Sequence, residues 1–308
     1  MRILIELPTW LGDCVMTTPA IENIVKKYHD CEIVFIGPQV SIDLMRSHPK
    51  CIESYILDRG LINLASTIRS IKSTDLFISF RGSVRTKLFK LLLNAENKYQ
   101  YNKNKFSSGH QVEKYNQFIR ESIGSNLKAG KLKIYKSSFE NPCKKPLLGL
   151  NPGASYGSAK CWPYEKFVEV AVSLSDKFDI LIFGGPDEIS LSKKIAKELR
   201  NKNCKNFTNL TGKTTIKDLM SCISSLDIFI TGDSGPMHIA AAFQIPTVSI
   251  FGPTKVNETS QWMNNKSSIL KKYLDCQPCM KRVCPLGHHN CMKKITSKEV
   301  INSALSLI

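Results

Sequence analysis

Thr231-Gly232-Asp233-Ser234-Gly235-Pro236-Met237-His238-Ile239-Ala240-Ala241-Ala242 follows directly on the apolar run Asp227–Thr231. A short apolar strand, a turn of small residues and an alanine-rich helix in immediate succession are the unit of a parallel α/β sheet. Backbone N–H groups are bare at such a helix start, and at Gly235 no side chain covers them, so the turn suits the oxygens of a phosphate. His238, one turn in, is a further donor. The same residues also read as a capped helix with a satisfied core histidine.

The pattern extends in both directions. Leu147–Leu150, Ile180–Gly184, Phe207–Leu210 and Thr247–Phe251 read as strands, and Glu165–Leu174, Ser190–Leu199, Ile216–Leu226 and Met237–Gln244 as helices. An earlier half repeats the rhythm, with strands at Arg2–Leu7, Glu32–Gly37, Ser54–Leu57, Asp75–Phe80 and Lys98–Tyr101. Its helices are Pro19–Tyr28, Leu61–Ile71, Val84–Leu93 and Gln111–Ser122. Residues 124–146 are lysine-rich and lose the rhythm, which predicts a linker. The class is therefore α/β, with two similar domains at 1–146 and 147–308 and a cleft between them.

The 308 residues are 42% hydrophobic, enough to bury two cores. The opening apolar run is too short for a signal peptide, and no run of about 18 apolar residues spans a bilayer. Eleven cysteines without an export signal predict reduced thiols in a cytoplasm. The net charge of +17 rests mostly on lysine, and residues 1–146 are the more basic half, carrying 23 basic and 13 acidic side chains. That balance fits a solvated surface, an anionic substrate or membrane face, or nucleic acid. Against nucleic acid, no strand interleaves aromatics and no helix-turn-helix pattern occurs.

Ligands of open parallel sheets bind at the carboxyl ends of strands, so the loops there carry the chemistry. In Leu7-Pro8-Thr9-Trp10-Leu11-Gly12-Asp13, Asp13 sits at a strand-to-helix turn as a general base or as the cap of the helix. No G-x-G-x-x-G is present, which disfavours a dinucleotide-dependent dehydrogenase. In Asn151-Pro152-Gly153-Ala154-Ser155-Tyr156-Gly157-Ser158-Ala159-Lys160-Cys161-Trp162-Pro163, small residues admit a ligand, and Lys160 reads as a diphosphate clamp or as one lysine among many. In Phe183-Gly184-Gly185-Pro186-Asp187-Glu188, Glu188 suits a ribose diol or a helix N-terminus.

Together these motifs resemble glycosyltransferase family 9, the ADP-heptose:lipopolysaccharide heptosyltransferases, which implies the GT-B fold of two Rossmann-like domains with parallel sheets facing a central cleft. Trp10-Leu11-Gly12-Asp13, Asn151-Pro152-Gly153-Ala154 with Lys160, and Gly232-Asp233-Ser234-Gly235-Pro236-Met237-His238 carry the resemblance over nearly the whole chain. The tail Asp275-Cys276-Gln277-Pro278-Cys279 with Cys284-Pro285-Leu286-Gly287-His288-His289-Asn290-Cys291 is similar to the branch that adds the second heptose of the inner core. The resemblance implies that Asp13 deprotonates the acceptor hydroxyl and Lys160 meets the donor diphosphate, with Ser155 beside it. It implies that Glu188 holds the nucleoside, Thr214 lies near the adenine, and Asp233, Ser234, Gly235 and His238 cradle diphosphate and heptose. Arg81, Arg85 and Lys87 follow a strand of the N-terminal half, where they would meet an anionic acceptor or simply face solvent.

Transfer from such a donor needs one base and one anion site, and the resemblance implies inversion without a covalent nucleophile. No cofactor is required, since the diphosphate has Lys160 and backbone dipoles. ADP-heptose is the implied donor and a heptosylated Kdo-lipid A the acceptor, met peripherally at the cytoplasmic face of the inner membrane by a monomer. The spacing of Cys276, Cys279, Cys284 and Cys291 also suits zinc, though the resemblance favours free thiols and no metal. Rival readings are an enzyme adding the first heptose, another GT-B transferase or epimerase, and a nucleic-acid-binding protein with a Cys/His metal site.

Overall fold

A computed structural model describes residues 1–57, 67–136 and 145–308. The chain divides into two compact units, Met1–Lys136 and Ser137–Ile308. The expected helix Leu61–Ile71 lies largely outside the described residues.

The N-terminal unit holds five parallel strands, β1 (Arg2–Glu6), β2 (Cys31's neighbour Glu32 to Gly37), β3 (Cys51–Ile56), β4 (Thr74–Ser79) and β5 (Ala95–Gln100), in the order β3-β2-β1-β4-β5. Ile5 of β1 lies between Phe35 of β2 and Ile78 of β4. The inner strands β1, β2 and β4 are largely apolar and buried because both sheet faces are covered there, whereas the edge strands β3 and β5 carry polar residues and are only partly buried. Leu4, Val34, Ile36 and Phe77 are buried against Phe89 of helix Val84–Leu92. Chain direction across the sheet reverses at β1 and β4, so the loops after these two strands open at the switch point.

The first helix runs over Leu11–Lys27, eight residues earlier than the expected start at Pro19. A proline inside a helix leaves the carbonyl four residues back without its N–H donor. Here that carbonyl belongs to Val15, and the Thr18 hydroxyl donates to it at 2.7 Å. A local side-chain bond thus overrides the helix-start reading of the proline.

The predicted linker is also corrected in part. Helix Gln111–Ile123 ends on Gly124 in the left-handed region, and residues 125–136 then run as an extended strap packed on the N-terminal unit. Leu132 and Ile134 are buried. Asn23 donates to the Lys128 carbonyl at 2.9 Å, and the Lys133 N–H donates to Thr18 Oγ1 at 3.0 Å. Of the other expected linker residues, 137–144 lie outside the described ones and 145–146 lead directly into the C-terminal unit's first strand.

Glu22 fastens the strap, accepting from Lys133 Nζ at 3.0 Å, Tyr135 Oη at 2.8 Å and lying 3.3 Å from His48 Nε2. Burial raises its carboxyl, but these three partners more than offset that and hold it down to about 2. A depressed carboxyl stabilises the fold above its ordinary value of 4.5, and the contribution is lost as pH falls from there towards 2. Glu22→Gln is therefore expected to cost about 1–3 kcal/mol at neutral pH. In urea unfolding of the full chain, the gap from wild type should narrow as pH drops below that ordinary value.

The C-terminal unit holds six parallel strands, β6 (Leu147–Asn151), β7 (Asp179–Ile182), β8 (Phe207–Asn209), β9 (Ile228–Gly232), β10 (Thr247–Phe251) and β11 (Ser267–Lys271). Their order is β11-β10-β9-β6-β7-β8, with Leu150 beside Ile230 and Ile250 beside Gly232. Leu148, Leu150, Ile180, Ile230 and Val248 pack with Trp162 and Phe167 in one core. Trp162 donates its indole N–H to the Ile295 carbonyl at 3.1 Å, which ties the tail to this core. Direction reverses between β6 and β9, so the loops after these strands meet at the second switch point.

Candidate functional site

In the C-terminal unit the switch point brings three loops together. The loop after β6 ends in a short 3-10 helix, Ser158–Lys160, and the Lys160 ammonium donates to Asp233 Oδ2 at 2.6 Å and to the Asp233 carbonyl at 3.1 Å. Asp233 is buried in the turn after β9 and also accepts from Thr254 Oγ1, in the loop after β10, at 2.7 Å. A carboxylate withdrawn from water in this way is satisfied by a cation and a hydroxyl together.

The last residue of β6 closes the turn. Asn151 Nδ2 lies 3.2 Å from Ser234 Oγ and 3.3 Å from Thr231 Oγ1, and the two hydroxyls are 3.1 Å apart. Ser234 is the N-cap of helix Gly235–Ala242, but its side chain makes no cap bond. Its hydroxyl is instead engaged with Asn151 and Thr231, the Met237 N–H donates to the Ser234 carbonyl at 3.2 Å and Pro236 has no N–H, which leaves the Gly235 N–H at the helix start for an anion. Gly235 is half-buried and His238 is buried in the first helical turn. A Cβ on Gly232 would stand 3.3 Å from the Lys160 carbonyl, so glycine there permits the two loops to touch.

Glu188 is turned back over its own loop. Its Oε2 accepts the Gly185 N–H at 2.7 Å, and a Cβ on Gly153 would fall 2.0 Å from Oε1. Gly153 therefore makes room for this carboxylate, linking the β6 and β7 loops. Burial pushes the Glu188 carboxyl up, the Gly185 N–H opposes this, and Asp187 adds to it. Thr214 is half-buried before helix Ile216–Ser224, and Ser155 is exposed. Neither joins the Lys160–Asp233 network.

In the N-terminal unit, Asp13 is half-buried in the first turn of helix Leu11–Lys27. The N-cap position belongs to Trp10, whose side chain makes no cap bond, so Asp13 is a first-turn carboxylate near the positive helix end. Its charge is felt by two buried neighbours. Burial chiefly pushes Cys14 up to about 12, with Asp13 adding to it, and Tyr115 is raised well above its ordinary value by burial and then by Asp13.

Beside this turn, at the end of β1, stands a residue that sequence reasoning missed. Glu6 is buried, accepts from Ser79 Oγ at 2.6 Å and Thr86 Oγ1 at 3.2 Å, and lies 3.6 Å from Arg81 Nη1. Burial raises its carboxyl, and Ser79, Arg81, Thr86 and Arg85 pull it down without cancelling the rise. Arg81 is thus anchored on a buried carboxylate whose charge Arg85 also feels, while Lys87 is exposed. A lone carboxylate in the apolar run Ile3–Leu7 was the available signal. Asn151 and Thr254 were also missed, because their role depends on loops distant in sequence.

Cys276, Cys279, Cys284 and Cys291 line one small pocket with His288 and His289. Among the described residues no three His, Cys, Asp or Glu side chains are placed to hold a metal ion. The four thiols are free, and backbone N–H groups, first that of His289, hold the Cys284 thiol below its ordinary value.

Known proteins share this organisation. A lipooligosaccharide heptosyltransferase 2 of Campylobacter jejuni subsp. jejuni serotype O:2 is 40% identical, over 100% of this chain and 98% of its own. The solved structure of E. coli ADP-heptose LPS heptosyltransferase II superposes with a TM-score of 0.84 at 20% identity, covering 100% of this chain and 98% of that one. A glycosyltransferase of family 9 from Veillonella parvula gives 0.87 at 20% identity, over 99% and 96%. These structures share the fold class, GT-B with two parallel-sheet α/β domains. The sequence profile of glycosyltransferase family 9 (heptosyltransferase) matches residues 63–290, and the chain belongs to that family of glycosyltransferases.

Proposed function

We propose that this chain transfers L-glycero-D-manno-heptose from ADP-heptose to the first heptose of a lipooligosaccharide inner core, with inversion. The observation that carries this reading is the turn Asp233–Gly235, held by Lys160, Thr254 and Asn151 at the carboxyl ends of β6, β9 and β10. A buried polar frame around an open helix start suits a leaving diphosphate. The full-length likeness to the Campylobacter enzyme favours heptose over other nucleotide sugars.

In this reading residues 147–308 take the donor. Asp233, Ser234, Gly235 and His238 lie along the diphosphate and heptose, and Glu188, Thr214 and Ser155 lie towards the nucleoside. Residues 1–146 take the acceptor, a heptosylated Kdo-lipid A, through Arg81, Arg85 and Lys87. Asp13 removes the proton of the attacking hydroxyl as the diphosphate leaves with the electrons of the glycosidic bond. No cofactor takes part in this scheme. Among the described residues no helix is long and apolar enough to cross a membrane. The basic excess of residues 1–146 suits peripheral contact with the anionic cytoplasmic face of the inner membrane.

Incubation of the chain with ADP-heptose and a mono-heptosylated core tests the proposal by mass spectrometry. The expected product is heavier by one heptose. An unchanged acceptor together with a converted donor would point instead to an epimerase.

A further inference from the structure

The Lys160 ammonium does not meet a diphosphate with an uncompensated charge. At 2.6 Å from Asp233 Oδ2 it is neutralised by a carboxylate whose side chain is only 5% exposed. A nucleotide diphosphate diester brings about two negative charges and gains another as it leaves, more than the partial charge at one helix start balances. A neutralised lysine and one helix start leave most of that charge unbalanced.

A further cation, Arg282, stands on the cysteine-rich loop between Cys279 and Cys284. Tyr156, in the loop after β6, has the Lys160 ammonium 4.8 Å from its ring centroid and the Arg282 guanidinium 5.6 Å from the same centroid. Among the described residues no carboxylate pairs with Arg282.

Its main chain is built into the Lys160 turn. The Arg282 carbonyl accepts the Ala159 N–H at 3.0 Å, and the neighbouring Met280 carbonyl accepts the Tyr156 hydroxyl at 2.7 Å. His289 Nε2 lies 2.9 Å from the Ala159 carbonyl. A Cβ on Gly157 would lie 2.4 Å from the Arg282 carbonyl oxygen, and the φ of Gly157 is +148°, so only glycine allows this approach. The contacts on both sides of Lys160 fix where residue 282 can be.

We propose that Arg282 is a second phosphate-binding cation of the donor site, gripping the diphosphate by its guanidinium fork while the Tyr156 ring holds it near Lys160. This rests on the reading of the C-terminal unit as a nucleotide-diphosphate site. An arginine fork matches two phosphate oxygens at once, which a second ammonium does not. The cysteine-rich tail, otherwise without a part in the reaction, then serves to deliver this side chain.

Titration calorimetry on the full chain with ADP, adenosine and inorganic pyrophosphate tests the assignment. Arg282→Ala and Arg282→Gln should each weaken ADP and pyrophosphate binding ~10–100-fold and leave adenosine within ~2-fold of wild type, with unchanged thermal unfolding. Arg282→Lys should recover only part of the loss. Wild-type ADP affinity in Arg282→Ala would overturn the proposal, as would an equal loss for adenosine. A wild type that binds pyrophosphate but not ADP would sink the nucleotide reading while leaving Arg282 in place, and one that binds neither would sink both.

Discussion

Asp13→Asn is expected to lower the rate of heptose transfer by ~10²–10⁴-fold, the usual contribution of a general base. The substitution is isosteric and removes only the ability to take a proton. Trp10, not Asp13, occupies the cap position of helix Leu11–Lys27, so the helix keeps its start. Loss of a first-turn carboxylate costs only about 0.3–1 kcal/mol of stability. ADP binding by calorimetry should not change, because the residues proposed to hold the donor belong to the other compact unit. Single-turnover transfer to a mono-heptosylated acceptor measures the effect. A variant retaining a tenth or more of the wild-type rate would remove Asp13 from the chemistry.

Lys160→Met is expected to reduce kcat/KM by ~10²–10³-fold, in the range seen when one electrostatic partner of a developing anion is removed. Two effects combine. The diphosphate loses a cation, and Asp233, 5% exposed, keeps a negative charge that only Thr254 and the helix start then oppose. The second effect also destabilises the fold, since a buried charge left without its partner costs up to about 3–5 kcal/mol. Adding Asp233→Asn to Lys160→Met separates them. The double variant should regain much of the unfolding midpoint and little of the activity. Recovery of transfer by the double variant would mean that Lys160 only neutralises Asp233 and does not act on the substrate.

The two α/β halves were readable from alternation alone, because a parallel strand covered on both faces must be a continuous apolar run. Elements whose signal is weaker escaped. Helix Gln39–Met45 is seven residues long and β11 is made of Ser267–Lys271, half-buried at most positions. An edge strand covers less of the core and needs fewer apolar residues. Pro19 reads as a start and so shortens helix Leu11–Lys27, because the Thr18 hydroxyl that satisfies Val15 is invisible to a rule about single residues. Residues 125–136 read as a linker since an extended strap has no period. Only its anchors on Thr18, Glu22 and Asn23 show that it is packed.

For the site, local sequence sets which chemical groups are on offer. A carboxylate at the first strand-to-helix turn, a lysine among small residues and a glycine at a helix start are local arrangements, set by residues adjacent in the chain. Tertiary structure decided how those groups are spent. Lys160 and Asp233 are 73 residues apart and form one ion pair. Glu6 reaches Thr86 across 80 residues, and Arg282 comes to Tyr156 from the far end of the unit. Charge balance depends on distance through space, falling off steeply as groups separate. A sequence states which charges exist, and only the folded chain states which of them already cancel.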